Sequence, residues 1–143
     1  MLGDLTIINK SDAQTVKTYD EALKGIQKKY PVKGNVISIL QNFIIDEDTV
    51  NLEALTKLDP ITDQTKKIIN ALSKTSVPQP LATLHLDFIN KLEVLVENIE
   101  DIKLYDKDVI VALAGISKYE KNTELLESAS NNLGNAIEQK LSN

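Results

Sequence analysis

Apolar residues recur at spacings of three and four through most of the chain, the period of an α-helix and not of a strand. After Ser11, the positions Ala13, Val16, Tyr19, Leu23, Ile26 and Tyr30 mark one face of a first helix. Ser11 and Gln14 form a capping box at its start, Pro31 stops it and Gly34 helps turn the chain. Val36, Ile37, Leu40, Phe43 and Ile44 predict a second helix of about ten residues. A strand is the alternative there, because Val and Ile are frequent, but the 36–40 and 40–43–44 spacings fit period 3.6 better. Asp46-Glu47-Asp48 reads as a loop, and Leu52, Leu55 and Leu58 as a short helical turn. Asp59-Pro60 predicts either the cap and first position of a third long helix or a kink in a longer one. The apolar side of that element is Ile61, Thr65, Ile68, Ile69 and Leu72.

Val77-Pro78-Gln79-Pro80 is the clearest break, too short and too closely flanked by apolar segments to be a domain linker. The fourth helix, from about Pro80 to Lys103, carries the most regular seam: Leu81, Leu84, Phe88, Leu92, Leu95, Ile99 and Ile102. Tyr105-Asp106-Lys107-Asp108 is a tight connection, and Asp108 can cap the last helix, which runs to Leu141. The stripe of that helix is Val109, Ala112, Leu113, Ile116, Tyr119, Thr123, Leu126, Ala129, Leu133, Ile137 and Leu141. Gly115 and Gly134 weaken it locally by about 1 kcal/mol each. Together these elements predict an all-α, single-domain bundle of four to six helices over residues 1–143. Its long C-terminal helix runs antiparallel to the preceding one. Residues 1–10 read as a flexible start, residues 122–143 as a helix end that frays or projects, and no strand pair is expected.

Composition narrows the chemistry. The chain has 143 residues, 42% of them apolar, enough for one folded domain without disulfides or metals. It has no cysteine, which removes thiolate nucleophiles, thiolate zinc sites and iron–sulfur clusters. All 16 basic residues are lysine against 21 acidic ones, a net charge of −5. Without the guanidinium fork, and with this charge, nucleic acid is not an expected partner. Asn35–Ile45 is 11 residues without a charge, short of the 18 or more a membrane span needs. The first ten residues show no basic stretch followed by an apolar core, so no signal peptide is read there.

The single histidine, His85, is either a proton shuttle or a helix-start residue whose ring nitrogens find backbone or side-chain partners. The second reading is favoured, because no nucleophile is signalled near it. Glu93, Glu97, Glu100 and Asp101 form an acidic flank, readable as acid–base or divalent-cation chemistry but better as a solvated helix face. Asp46-Glu47-Asp48 with Asn51 and Glu53 lacks the Gly and Glu that a calcium loop requires. Lys28-Lys29 and Lys66-Lys67 are too small for a polybasic patch. Tyr19, Tyr30 and Tyr119 are expected to fill the core with their hydroxyls at its rim; a partner-binding patch is the alternative.

The motifs Leu58-Asp59-Pro60, Val77-Pro78, Leu81-Ala82, Leu84-His85-Leu86, Ile89-Asn90 and Ser117-Lys118-Tyr119 give a further handle, together with the opening segment Ser11–Leu23. Over residues 7 to 121 the chain resembles a group of uncharacterised small helical proteins of candidate-phyla-radiation (Parcubacteria-like) bacteria. Where this chain has Asp106-Lys107-Asp108-Val109, those proteins look more like Asp-Pro at the helix start. The resemblance implies a helical domain displayed outside the cytoplasmic membrane, usually behind an N-terminal membrane anchor that this chain lacks. It implies no enzymatic activity. It also gives His85 and Asn90 a structural role, locking the Val77–Pro80 turn against neighbouring helices.

The expected function is therefore a non-enzymatic, envelope-associated structural or protein-interaction module. The alternatives are a cytoplasmic helical adaptor and, behind it, an enzyme or metal-binding bundle using His85 and carboxylates. No catalytic residue, cofactor or metal ligand is assigned. The polar residues given structural roles are His85, Asn90 and Asp59. The expected partner is a protein, with the membrane reached only through an anchor. Oligomeric state is left open, because a long final helix can fold back or pair between chains.

Overall fold

The computed structural model describes residues 4–31, 34–45 and 49–142. Among them are five α-helices: α1 (Ala13–Lys29), α2 (Val36–Phe43), α3 (Asp59–Ser73), α4 (Ala82–Ile102) and α5 (Val109–Ser142). Short 3₁₀ segments at Leu52–Leu58 and Gln79–Leu81 lead into α3 and α4. The chain is an all-α bundle with a long C-terminal helix. The loop expected at Asp46-Glu47-Asp48 lies outside the described residues.

Helix α4 is the central element. Its expected seam is one side of a wider buried surface, because His85, Ile89, Val96 and Asn98 are buried as well. A helix enclosed over so much of its circumference must pack on more than one neighbour. On one side lies α3; on the other α5 returns antiparallel, so that Ile102 meets Gly115 while Leu81 and Ala82 share a cluster with Leu133 and Ile137. At 34 residues α5 is about 51 Å long. A second cluster joins α2, the 3₁₀ segment and the far end of α4 through Phe43, Leu55, Leu58, Ile99 and Ile102.

Several local expectations are corrected. Asp12, not Ser11, caps α1: its carboxylate accepts from the Thr15 N–H at 3.3 Å and from the Thr15 hydroxyl at 2.6 Å. Asp59 is not a cap. Leu58 and Asp59 are both helical, so the 3₁₀ turn passes into α3 without a break, and Pro60 sits in the first turn where its missing N–H costs nothing. The Asp59 carboxylate is instead paired with Lys103 at 2.5 Å, at the other end of α4. Against the expectation of no strand pair, Ile7–Ile8 pairs in parallel with Val77–Pro78, a two-residue match that no periodicity could reveal. The end of α5 does not project, since Ala129, Leu133 and Ile137 are buried. Asp108 caps α5 as expected, through the Val111 N–H at 3.1 Å.

Gly115 is more than a weak point in α5. A Cβ there would lie 3.1 Å from Ile102 Cγ1 and 3.2 Å from the Asn98 carbonyl oxygen, so its absence permits the close approach of α4 and α5. That approach turns Ala112 and Gly115 inward and leaves Val109 and Leu113, expected on the inner stripe, exposed beside Ile110. Gly115→Leu should lower stability by about 1–3 kcal/mol through overpacking. Gly134→Ala, where a Cβ meets nothing within 4 Å, should raise it by about 0.5–1 kcal/mol. Urea unfolding of the two variants checks both signs.

Candidate functional site

Among the described residues His85 is the most enclosed polar side chain, 0% exposed in the first turn of α4. Its Nε2 lies 2.9 Å from the carbonyl oxygen of Leu72, the penultimate residue of α3. Its Nδ1 lies 2.6 Å from the Tyr19 hydroxyl of α1. A carbonyl can only accept, so Nε2 carries the ring proton and Nδ1 accepts from the tyrosine. Burial favours this neutral tautomer, in which both nitrogens are satisfied. Burial holds its pKa below the ordinary value; the bond to Leu72 opposes this and is the smaller effect. The negative end of the α3 dipole favours a cation at that carbonyl, by at most about 2 kcal/mol, whereas enclosing an unpaired charge costs several. Burial likewise raises the Tyr19 phenol, which stays protonated.

The histidine thus ends α3 and holds α1 to α4. Leu72 has one of the carbonyls that an α-helix leaves without an intrahelical partner, and it also accepts from the Thr75 N–H at 3.1 Å. Just beyond, Val77 is buried and donates its N–H to the Thr6 carbonyl at 2.8 Å. The break in the chain at Val77–Pro80 is therefore held from two directions. The Tyr19 hydroxyl points inward to His85 and not to the rim. Tyr30 and Tyr119 are half-buried.

Asn90 does not share this role. Five residues along α4 place it roughly 140° round the helix from His85, and it is exposed. The buried amide of α4 is Asn98, which sequence reasoning passed over. It donates from Nδ2 to the Gly115 carbonyl at 2.6 Å and accepts at Oδ1 from Asn122 Nδ2 at 3.0 Å. The available signal was a polar residue wedged between Leu95 and Ile99 on the apolar seam.

The carboxylate candidates do not converge. Glu93, Glu97 and Asp101 are exposed, and Glu100 pairs with Lys103 at 3.3 Å and Lys66 at 3.6 Å. The Asp59 bond is the largest influence raising the Lys103 pKa; Glu100 adds to it and burial opposes both. Asn51 caps the 3₁₀ segment through the Glu53 N–H. No three His, Asp or Glu side chains come together to hold a metal among the described residues, and no helix among them is long and apolar enough to cross a membrane.

Among the described residues, one concave feature is an apolar groove of about 420 Å³ between α1 and the C-terminal half of α5. Leu23 and Ile26 form one wall, Leu133 and Ile137 the other, with Phe88 and Leu92 of α4 between them. Asp20 and Lys24, ion-paired at 2.8 Å, lie at its edge. Gly134 lines it and leaves space where any other residue would project.

His85→Ala should lower stability by about 3 kcal/mol, from the cavity and the orphaned Tyr19 hydroxyl together, and Tyr19→Phe by about 1–3 kcal/mol. The folded ring titrates below its unfolded value, so the unfolded chain binds the extra proton. Stability is then full above about pH 6.5 and falls as pH drops from there toward the lowered folded value, by up to about 1.4 kcal/mol per pH unit. Urea unfolding at a series of pH values reads both effects. Comparison of the chain with family models, with curated proteins and with solved structures found no match in any of the three.

Proposed function

We propose that the chain is a non-enzymatic protein-interaction module that seats an apolar segment of a protein partner in the groove between α1 and α5. One observation carries this reading: a half-open trough of about 420 Å³, walled by aliphatic and aromatic side chains from several helices, with its charged groups at the edge. Well-packed interiors leave few voids larger than a water molecule, and a groove with apolar walls and a polar rim is how many modules take an amphipathic segment. Between Asp20 and Tyr30 the trough follows α1 for about 15 Å, or roughly three turns of a bound helix. An envelope location, which rests on the resemblance over residues 7 to 121, belongs to the same proposal.

Gly134→Leu is the sharpest test, because it fills the groove from a position with free space and also improves helix propensity. The variant should unfold no earlier than the wild type yet lose the partner that immobilised wild type retains from cell extract. A partner retained equally by both proteins would contradict the groove as the binding site. Protease digestion of intact cells carrying the tagged full-length protein should remove the tag if the location is extracytoplasmic; protection of the tag contradicts it.

A further inference from the structure

One wall of the groove, α1, is lightly anchored. Helix α1 is 17 residues long but has only Val16 and Tyr19 fully buried, whereas α4 has eight buried residues. One of those two anchors, Tyr19, is therefore also the donor to His85 Nδ1. We propose that His85 is an acid-sensitive latch for α1: protonation of its Nδ1 releases α1 from the α3–α4 unit while the α4–α5 hairpin stays folded.

The hydrogen bonds leave no neutral way to add the proton. Nδ1 accepts in the closed state, so a proton there turns acceptor into donor. The Tyr19 hydroxyl could rotate to accept it, but its own proton would then lose its partner at a site 2% exposed. Among the described residues no carboxylate is hydrogen-bonded to the ring, whose partners are the Tyr19 hydroxyl and the Leu72 carbonyl. Tyr19 is the titratable group that α1 presents to the ring, and its neighbour Asp20 is engaged by Lys24. From α3 comes the Leu72 carbonyl, already bonded to Nε2, and Lys74 beyond it is exposed. Val77, Leu81, Leu133 and Ile137, buried in the same cluster as Tyr19, carry no charge. On α4 itself Asp87 pairs with Lys91. The N-terminal half of α5 is held to α4 independently of this, since Asn98, Gly115 and Asn122 lie toward the opposite end of α4 and do not titrate. The proposal rests on the contact of Tyr19 with His85 and not on the groove having an occupant.

Hydrogen exchange resolved by helix tests the proposal on the intact chain. If only the opened form takes the proton, moving from about pH 7.5 to about pH 5.0 favours opening by up to roughly 30-fold. After correction for intrinsic exchange rates, protection in α1 should fall by up to that factor while α4 and the N-terminal half of α5 change little. His85→Gln offers the same donor and acceptor without a titratable proton and should abolish the difference. A His85→Gln protein that keeps the fall would assign it to carboxylates and overturn the latch. So would unchanged protection of α1, or an equal fall in α4 and the N-terminal half of α5. If that variant does not fold, the wild-type imidazole resonance decides: it should titrate with the midpoint of α1 opening, and a different midpoint overturns the proposal.

Discussion

A polar ring cut off from water has to find its partners inside the protein, and the uncharged imidazole of His85 finds them on two other segments at once. Nε2 takes a carbonyl at the end of α3 and Nδ1 takes a hydroxyl from α1, while the ring itself belongs to the start of α4. Losing either partner leaves a buried group unsatisfied, which costs more than the bond contributes when made. The arrangement of three helices is thus specified by one side chain with directional needs. The aliphatic contacts around it, Val16, Leu81, Leu133 and Ile137 among them, supply attraction but little direction.

The other end of α4 is specified by different means. The gap at Gly115 lets α5 close on Ile102 and on the Asn98 backbone, and the Asn98 amide then spans to the Gly115 carbonyl and to Asn122. A buried amide paired in this way disfavours a helix slipped by a turn, since slippage would strand it in an apolar seam. Lys103 adds a surface link to Asp59 and Glu100, of the kind that contributes little stability when solvated. Beside the His85 end lies the stretch where α5 carries Gly134 and meets α1 across the groove.

The helices were legible because burial on one face imprints the three-and-four spacing on the chain. The start of α2 at Val36, the Asp108 cap and the pairing of α4 with α5 all follow from that signal and from capping chemistry. What the pattern does not carry is which of two adjacent candidates makes a bond. Ser11 and Asp12 are equally good caps in sequence, and only backbone geometry chooses Asp12. His85 could be read as a satisfied helix-start residue; that its partners would be Tyr19 and Leu72, 66 and 13 residues away, depends on tertiary packing. Asn90 and Asn98 are the same residue type on the same helix, and their different fates reflect the angular position of α5, which one helix's sequence does not encode. Gly115 read as a propensity cost because its benefit is a contact with another helix. The pairing of Ile7–Ile8 with Val77–Pro78 is too short to leave a period.

The measurement that tests the account most directly is nitrogen-15 NMR of the His85 ring at about pH 7.5, observed through long-range couplings to its carbon-bound protons. The account requires a neutral ring with Nε2 protonated and Nδ1 bare, accepting from Tyr19. A ring protonated at Nδ1, a mixture of tautomers, or a cation at that pH would contradict it, because each removes a bond that fixes α1 and α3 to α4.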